Sequence, residues 1–222
     1  MKKLAYVIEP TFGMDAYAKD FGYDVYTSGK WKWHEVLPDV VFFMGGTDIE
    51  TRLYNEKPLP QTQRPNLQRD AYEINLYQHL KSIPKIGICR GAQLLCVLNG
   101  GSLWQHVNGH EFRGHPIWDV YGKSVISSSV HHQQMILPKE AKLIAWTKNV
   151  SNLRAKEGKK EEGPITREPE IAYLPATKDK GEELWVQGHP EFGPNEFTKY
   201  FFELVDKLIW KKNDTTFTEM VA

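Results

Sequence analysis

Residues 40–44, Val-Val-Phe-Phe-Met, are apolar without a break and stop at Gly45-Gly46. An unbroken run of this length marks a strand buried on both faces, as inside a parallel sheet covered by helices. The surrounding sequence suits such a strand. Residues 4–8 and 24–26 read as strands, and residues 14–21 between them as a helix ending near Gly22. After a long polar connection over 48–65, residues 66–80 read as a helix. Asn66 is its N-cap, and Leu67, Ala71, Ile74 and Leu76/Tyr77 recur at helical spacing. Residues 84–88 are the next strand and 91–98 the next helix, closed by Asn99-Gly100-Gly101. This βαβα order predicts an α/β fold, an open, mostly parallel sheet with helices on both faces.

The second half is less regular. Residues 123–127, 142–147, 170–173 and 183–187 read as strands, and 195–210 as a closing amphipathic helix. Residues 151–169 are rich in lysine and glutamate around Gly158 and Gly163 and read as a solvated, mobile loop, as does the 48–65 connection. A length of 222 residues suits one domain over 1–212, with 213–222 as a frayed tail. Lysine plus arginine and aspartate plus glutamate both number 28, so no net charge draws the chain to nucleic acid or anionic lipid. Two cysteines cannot build a secreted disulfide scaffold, and no segment has the apolar length of a signal peptide or membrane span. The expectation is a cytoplasmic chain with reduced thiols.

The segment with the most chemistry is Pro84-Lys-Ile-Gly-Ile-Cys-Arg-Gly-Ala-Gln-Leu-Leu. Cys89 sits where a strand turns into a helix, the layout of a nucleophile elbow with sulfur in place of hydroxyl. Gly87 and Gly91 leave room for a tight turn, and the helix N-terminus offers free N–H groups to an anion. Without a base, Cys89 is an ordinary buried thiol. Leu184-Trp-Val-Gln-Gly-His-Pro-Glu-Phe supplies one, because Pro190 keeps His189 extended and residues two apart in an extended chain point the same way. His189 and Glu191 can therefore form a base and its orienter.

GICRGAQLL, NGGSLWQHV, SSVHHQQ and VQGHPE, in that order, resemble the class I glutamine amidotransferases. With GGTDIETRLYNEKP and QRDAYE upstream, the pattern looks most like their γ-glutamyl hydrolase branch, which includes the γ-glutamyl-GABA hydrolases. The resemblance implies a flavodoxin-like α/β sheet, a Cys-His-Glu triad and a γ-glutamyl thioester that releases ammonia or an amine. It implies Cys89 as nucleophile, His189 as base, Glu191 as orienter, and the N–H groups of Gly46 and Arg90 as oxyanion hole. Gln93 matches a residue at the substrate's amino-acid end, and His131, His132 and Gln133 a segment lining the same pocket. No cofactor or metal is implied. The partners are a small γ-glutamyl substrate and, for an ammonia donor, a separate synthetase. Two departures stand out. Gly188 occupies a position where the family often has tryptophan, and Ser128-Ser129-Val130 one where many relatives have asparagine-serine-leucine.

Other features read more plainly. Cys96 lies two helical turns beyond Cys89, out of disulfide range, and reads as core. Arg69 and Glu73 are spaced for a surface ion pair on one helix, with Asp70 between them, and read as structural. Trp31 and Trp33 fit one face of a strand or a loop contact. His106, His110, His115, His131 and His132 follow no standard metal spacing. Two other readings stay open: a catalytically silent binding or scaffold protein of this fold, and a metal-dependent hydrolase using those histidines.

Overall fold

The computed structural model describes residues 2–9, 13–27, 36–111 and 114–210. Trp31, Trp33 and the tail after residue 210 lie outside these. In chain order the first half forms β1 (Lys3–Ile8), α1 (Met14–Asp20), β2 (Tyr23–Thr27), β3 (Val40–Phe43), a 3-10 turn (Thr51–Tyr54), α2 (Leu67–His79), β4 (Lys85–Ile88) and α3 (Arg90–Leu98). The second half adds β5 (Ser102–Trp104), β6 (His106–Val107), β7 (His115–Asp119), β8 (Ser124–Ser127), β9 (Gln134–Ile136), β10 (Lys142–Thr147), β11 (Leu153–Lys156), β12 (Lys159–Glu162), β13 (Glu168–Leu174) and β14 (Glu183–Val186). It closes with α4 (Glu196–Val205), whose Asn195 makes a capping box with Thr198, and a π-helical turn (Asp206–Trp210).

The main sheet has nine strands in the order β2-β1-β3-β4-β14-β13-β10-β7-β8. The first five are mutually parallel, in the flavodoxin-like order that reverses between β1 and β3. The last four extend it antiparallel. Side-chain alternation splits the core in two. Val40 and Phe42 of β3 pack with α1 and α4 on one face, and Val41 and Phe43 pack with α2 and α3 on the other. This three-layer packing explains the unbroken apolar run in β3.

The structure corrects three expectations. Residues 151–169 are not a loose loop. They hold a β-hairpin, β11 and β12, with Arg154 opposite Glu161 and a turn at Gly158 with φ 70°. Arg154 donates to Glu161 (2.6 Å) and lies over the Trp104 ring, and β11 also pairs with β6. Charged side chains, with the Arg154–Glu161 pair across the strands, replace the apolar alternation that would have revealed these strands. The 48–65 connection is likewise tied down, because Gln105 bonds the backbone of Lys57 and Leu59 while Asp48 accepts from Gln63 N–H. Finally, α2 is rotated from the expected face. Leu67 is 58% exposed, while Asp70, Glu73, Leu76 and Tyr77 are buried.

That rotation brings two carboxylates to one cation. The fully buried Arg90 guanidinium pairs with both Asp70 and Glu73, and Glu73 also accepts from Arg69 Nε at 2.9 Å. The pair read as a surface contact is thus part of a buried network joining α2 to the start of α3. Removing one member of such a network leaves uncompensated charge in a dry site. Arg90→Ala should therefore cost about 3–5 kcal/mol, measured by urea unfolding; a loss under about 1 kcal/mol would show that water reaches the carboxylates.

Candidate active site

The turn from β4 to α3 can form only because two glycines allow close packing. A Cβ on Gly87 would lie 2.6 Å from the Ala92 nitrogen, and one on Gly91 would run into the Phe43 backbone. Between them Cys89 takes φ 51°, ψ −112°, a conformation unusual for a side-chain-bearing residue. The turn is held by Cys89 N–H to Val186 carbonyl (2.7 Å) and Gln93 N–H to Cys89 carbonyl (3.0 Å). Cys89 is 7% exposed at the end of the central strand, at the N-terminus of α3. Cys96 is fully buried, and burial pushes its thiol far above the usual range.

His189 follows β14, the strand beside β4, so the sheet brings residues a hundred positions apart together. Its ring stands beside Cys89 across Gly45, and its Nδ1 meets Glu191 Oε1 at 2.8 Å. Burial disfavours the imidazolium, but Cys89 and Glu191 outweigh it and raise the His189 pKa to about 10. Phe192 stacks on the imidazole at 4.4 Å. The Ser128 hydroxyl accepts from His189 N–H (2.7 Å) and donates to His189 carbonyl (3.1 Å). Ser128 and Phe192 lie inside segments that the sequence singles out, but nothing in the sequence assigns them these contacts with His189.

The two departures from the family pattern meet here. A Cβ on Gly188 would press on the Ser127 hydroxyl and lie 2.9 Å from the Ser128 carbonyl. Gly188 thus lets the Ser127–Ser128 segment come close enough to clamp His189.

Gly45-Gly46 forms the opposite wall. A Cβ on Gly45 would stand 2.8 Å from His189 Cε1 and 3.8 Å from Cys89 Cβ. Gly46, with φ 156°, packs on Arg69 and Arg90, and Arg69 also donates to the Met44 carbonyl (3.0 Å). The buried arginine–carboxylate network therefore braces the loop carrying Gly46 and the helix start carrying Arg90 together, the two residues expected to supply oxyanion N–H groups.

The other expected residues divide. Gln93 is buried and donates to the Gln133 carbonyl (3.3 Å), which also receives Gln187 Nε2 (3.4 Å) and His131 Nδ1 (3.0 Å). His132 reaches Asp48 at 3.0 Å, and this bond, against burial, raises its pKa. His131 and His132 line a cavity of about 460 Å³ with Gln61, Gln63, His106 and Glu111, while the Gln93 and Gln133 side chains are not on its wall. The His131 ring also belongs to a buried group with His110, His115 and Glu170. Glu170 could not be linked to the histidines by sequence, since only the sheet brings β13 beside β14 and the 110–131 region.

The sequence profile of the peptidase C26 family matches residues 34–153, more than half of the chain. The chain belongs to the peptidase C26 family. This membership sets it among the class I glutamine amidotransferase-like proteins, as the motifs implied. The C26 match spans Gly45, Gly46, Cys89, Arg90 and the 131–133 segment and ends before His189. NtpR of Enterococcus hirae is 39% identical over 84 residues, 37% of this chain and 33% of that protein. The carbamoyl phosphate synthase small chain of Thermotoga maritima is 30% identical over 146 residues, 58% of this chain and 37% of that protein. The chain thus spans about a third of the length of these relatives. A Thermotoga maritima glutamine amidotransferase shares the fold, with a TM-score of 0.57 and 18% identity over 98% of this chain and 88% of that one. Among the described residues no helix is long and apolar enough to cross a membrane.

Proposed function

We propose that this chain is a cysteine-dependent enzyme that cleaves a γ-glutamyl amide, either glutamine or a γ-glutamyl amine, through a thioester on Cys89. The observation carrying this reading is the strained Cys89 turn facing His189, which is itself held by Glu191 at 2.8 Å. Cys89 Sγ attacks the amide carbon and forms the C–S bond. The carbonyl oxygen gains charge and takes hydrogen bonds from the Gly46 and Arg90 N–H groups. His189 hands its proton to the departing nitrogen, and ammonia or the amine leaves. Water then attacks the thioester carbon, His189 takes the water proton, and glutamate is released as the C–S bond breaks. Every step uses side chains and backbone N–H groups of this chain and one water.

In this reading Gln93 and Gln133 fix the pocket floor behind the sulfur, and His131 and His132 its wall. The mixed match to γ-glutamyl hydrolase-like motifs and to a carbamoyl phosphate synthase small chain supports two fates for the nitrogen. A free-standing γ-glutamyl hydrolase releases it to solvent; an ammonia donor passes it to a separate synthetase.

Glutamate release from glutamine and a panel of γ-glutamyl amines tests the chemistry. Gln93→Leu removes one of the three donors that hold the Gln133 carbonyl and so loosens the pocket floor, and kcat/KM should fall about tenfold for every γ-glutamyl substrate. Release of glutamate from none of them would remove the reading, and an unchanged Gln93→Leu would remove Gln93 from the pocket.

A further inference from the structure

The histidine-rich middle comes together around Glu170, which a distant strand supplies. His110 follows β6, His115 opens β7, His131 lies between β8 and β9, and Glu170 is in β13. All four are buried, and one ligand-competent atom from each lies within 4.8 Å of the other three. His115 Nε2 is 3.2 Å from His110 Nδ1 and 3.4 Å from Glu170 Oε1. His110 Nδ1 and His131 Nε2 stand 3.7 and 3.9 Å from the same oxygen.

The outer ring atoms fix which nitrogens face inward. His131 Nδ1 meets the Gln133 carbonyl at 3.0 Å, and a carbonyl can only accept, so Nδ1 carries the proton and Nε2 presents its lone pair. His110 Nε2 meets the Glu168 carboxylate at 3.0 Å and so carries a proton, while its Nδ1 lies 3.1 Å from the Ser129 hydroxyl and 3.2 Å from His115 Nε2. An imidazole held by a carboxylate behind it is the usual support of a metal-bound histidine. Inside the cluster, His131 Nε2 and both Glu170 oxygens are buried with no hydrogen-bond partner. A buried carboxylate facing three imidazoles, with these atoms left unpaired, suits a cation at the centre.

We propose that His110, His115, His131 and Glu170 bind one divalent transition-metal ion, zinc fitting their three nitrogens and one oxygen best. Four-coordinate zinc with bonds of about 2.0–2.1 Å needs ligand atoms roughly 3.4 Å apart, so side-chain shifts of about 1 Å close the site. Four protein ligands leave no open position, so the ion is structural. It joins four chain segments behind the wall that carries His131 and His132.

The test uses untagged, metal-depleted full-length protein titrated with cobalt(II), followed by the visible absorption of four-coordinate cobalt and by the thermal midpoint. The expected result is saturation at one equivalent, displacement by zinc and a raised midpoint. Glu170→Gln, which keeps the shape, and His115→Ala should each weaken binding at least tenfold, while Cys89→Ala should bind as the native chain does. No saturable binding by the native chain overturns the proposal, whether or not the variants fold. So does unchanged affinity in both ligand variants, or loss of binding in Cys89→Ala, which would place the ion on the thiolate.

Discussion

Cys89→Ala is expected to lower turnover of every γ-glutamyl substrate by on the order of 10⁴-fold or more, with the fold unchanged. The sulfur is the only heavy atom lost, from a residue that is 7% exposed at the turn from β4 to α3. The backbone adds a second, sharper outcome. Cys89 is held at φ 51°, ψ −112°, where a Cβ is strained. Cys89→Gly relieves that strain and should be equally inactive yet more stable, by on the order of 1 kcal/mol. Denaturant unfolding and steady-state glutamate release measure the two effects separately. A glycine variant that is inactive and also less stable would mean that the turn is an ordinary packed corner and not one strained to present its side chain.

The second large effect concerns the pair behind the sulfur. His189→Asn should cost nearly as much as losing Cys89, because His189 moves a proton in both halves of the reaction. Glu191→Gln should be milder by about one to two orders of magnitude, since the carboxylate only orients and charges the ring. The same carboxylate helps raise the His189 pKa to about 10, so Glu191→Gln should also lower the pH at which the ring titrates. A raised histidine pKa adds stability that is full below the unfolded value near 6.5 and is lost as pH rises through about 10. Stability of the native chain should therefore decline over that window, and less steeply in Glu191→Gln. Titration of the ring by NMR, with pH-dependent unfolding, checks both. A Glu191→Gln loss larger than that of His189→Asn would reverse the two roles.

Much of this was legible because local chemistry forces it. The unbroken apolar run at β3, the Gly87–Gly91 spacing around Cys89 and the Pro190-fixed extension of His189 each have one good structural solution. Asn66 caps α2 as its side chain predicts, accepting from Arg69 N–H at 3.1 Å. What escaped the sequence depends on distant partners. The β11–β12 hairpin is stabilised by charge pairs such as Arg154–Glu161, and its composition resembles solvated chain. The buried face of α2 holds Asp70 and Glu73, which read as surface until Arg90 arrives from another helix. Ser128 holds the His189 backbone and Phe192 stacks on its ring, contacts that the motifs containing them do not announce. Glu170 stands 55 residues from His115 and belongs to the cluster only because β13 lies in the main sheet beside β14 and two strands from β7.

The central claim, that Cys89 takes up the γ-glutamyl group, is tested most directly by mass spectrometry of the chain treated with a diazo-ketone analogue of glutamine. The account predicts one adduct, on the peptide carrying Cys89, formed more slowly when glutamine is present and formed barely or not at all in His189→Asn. An adduct on Cys96, or glutamate release that continues with Cys89 fully modified, would contradict it.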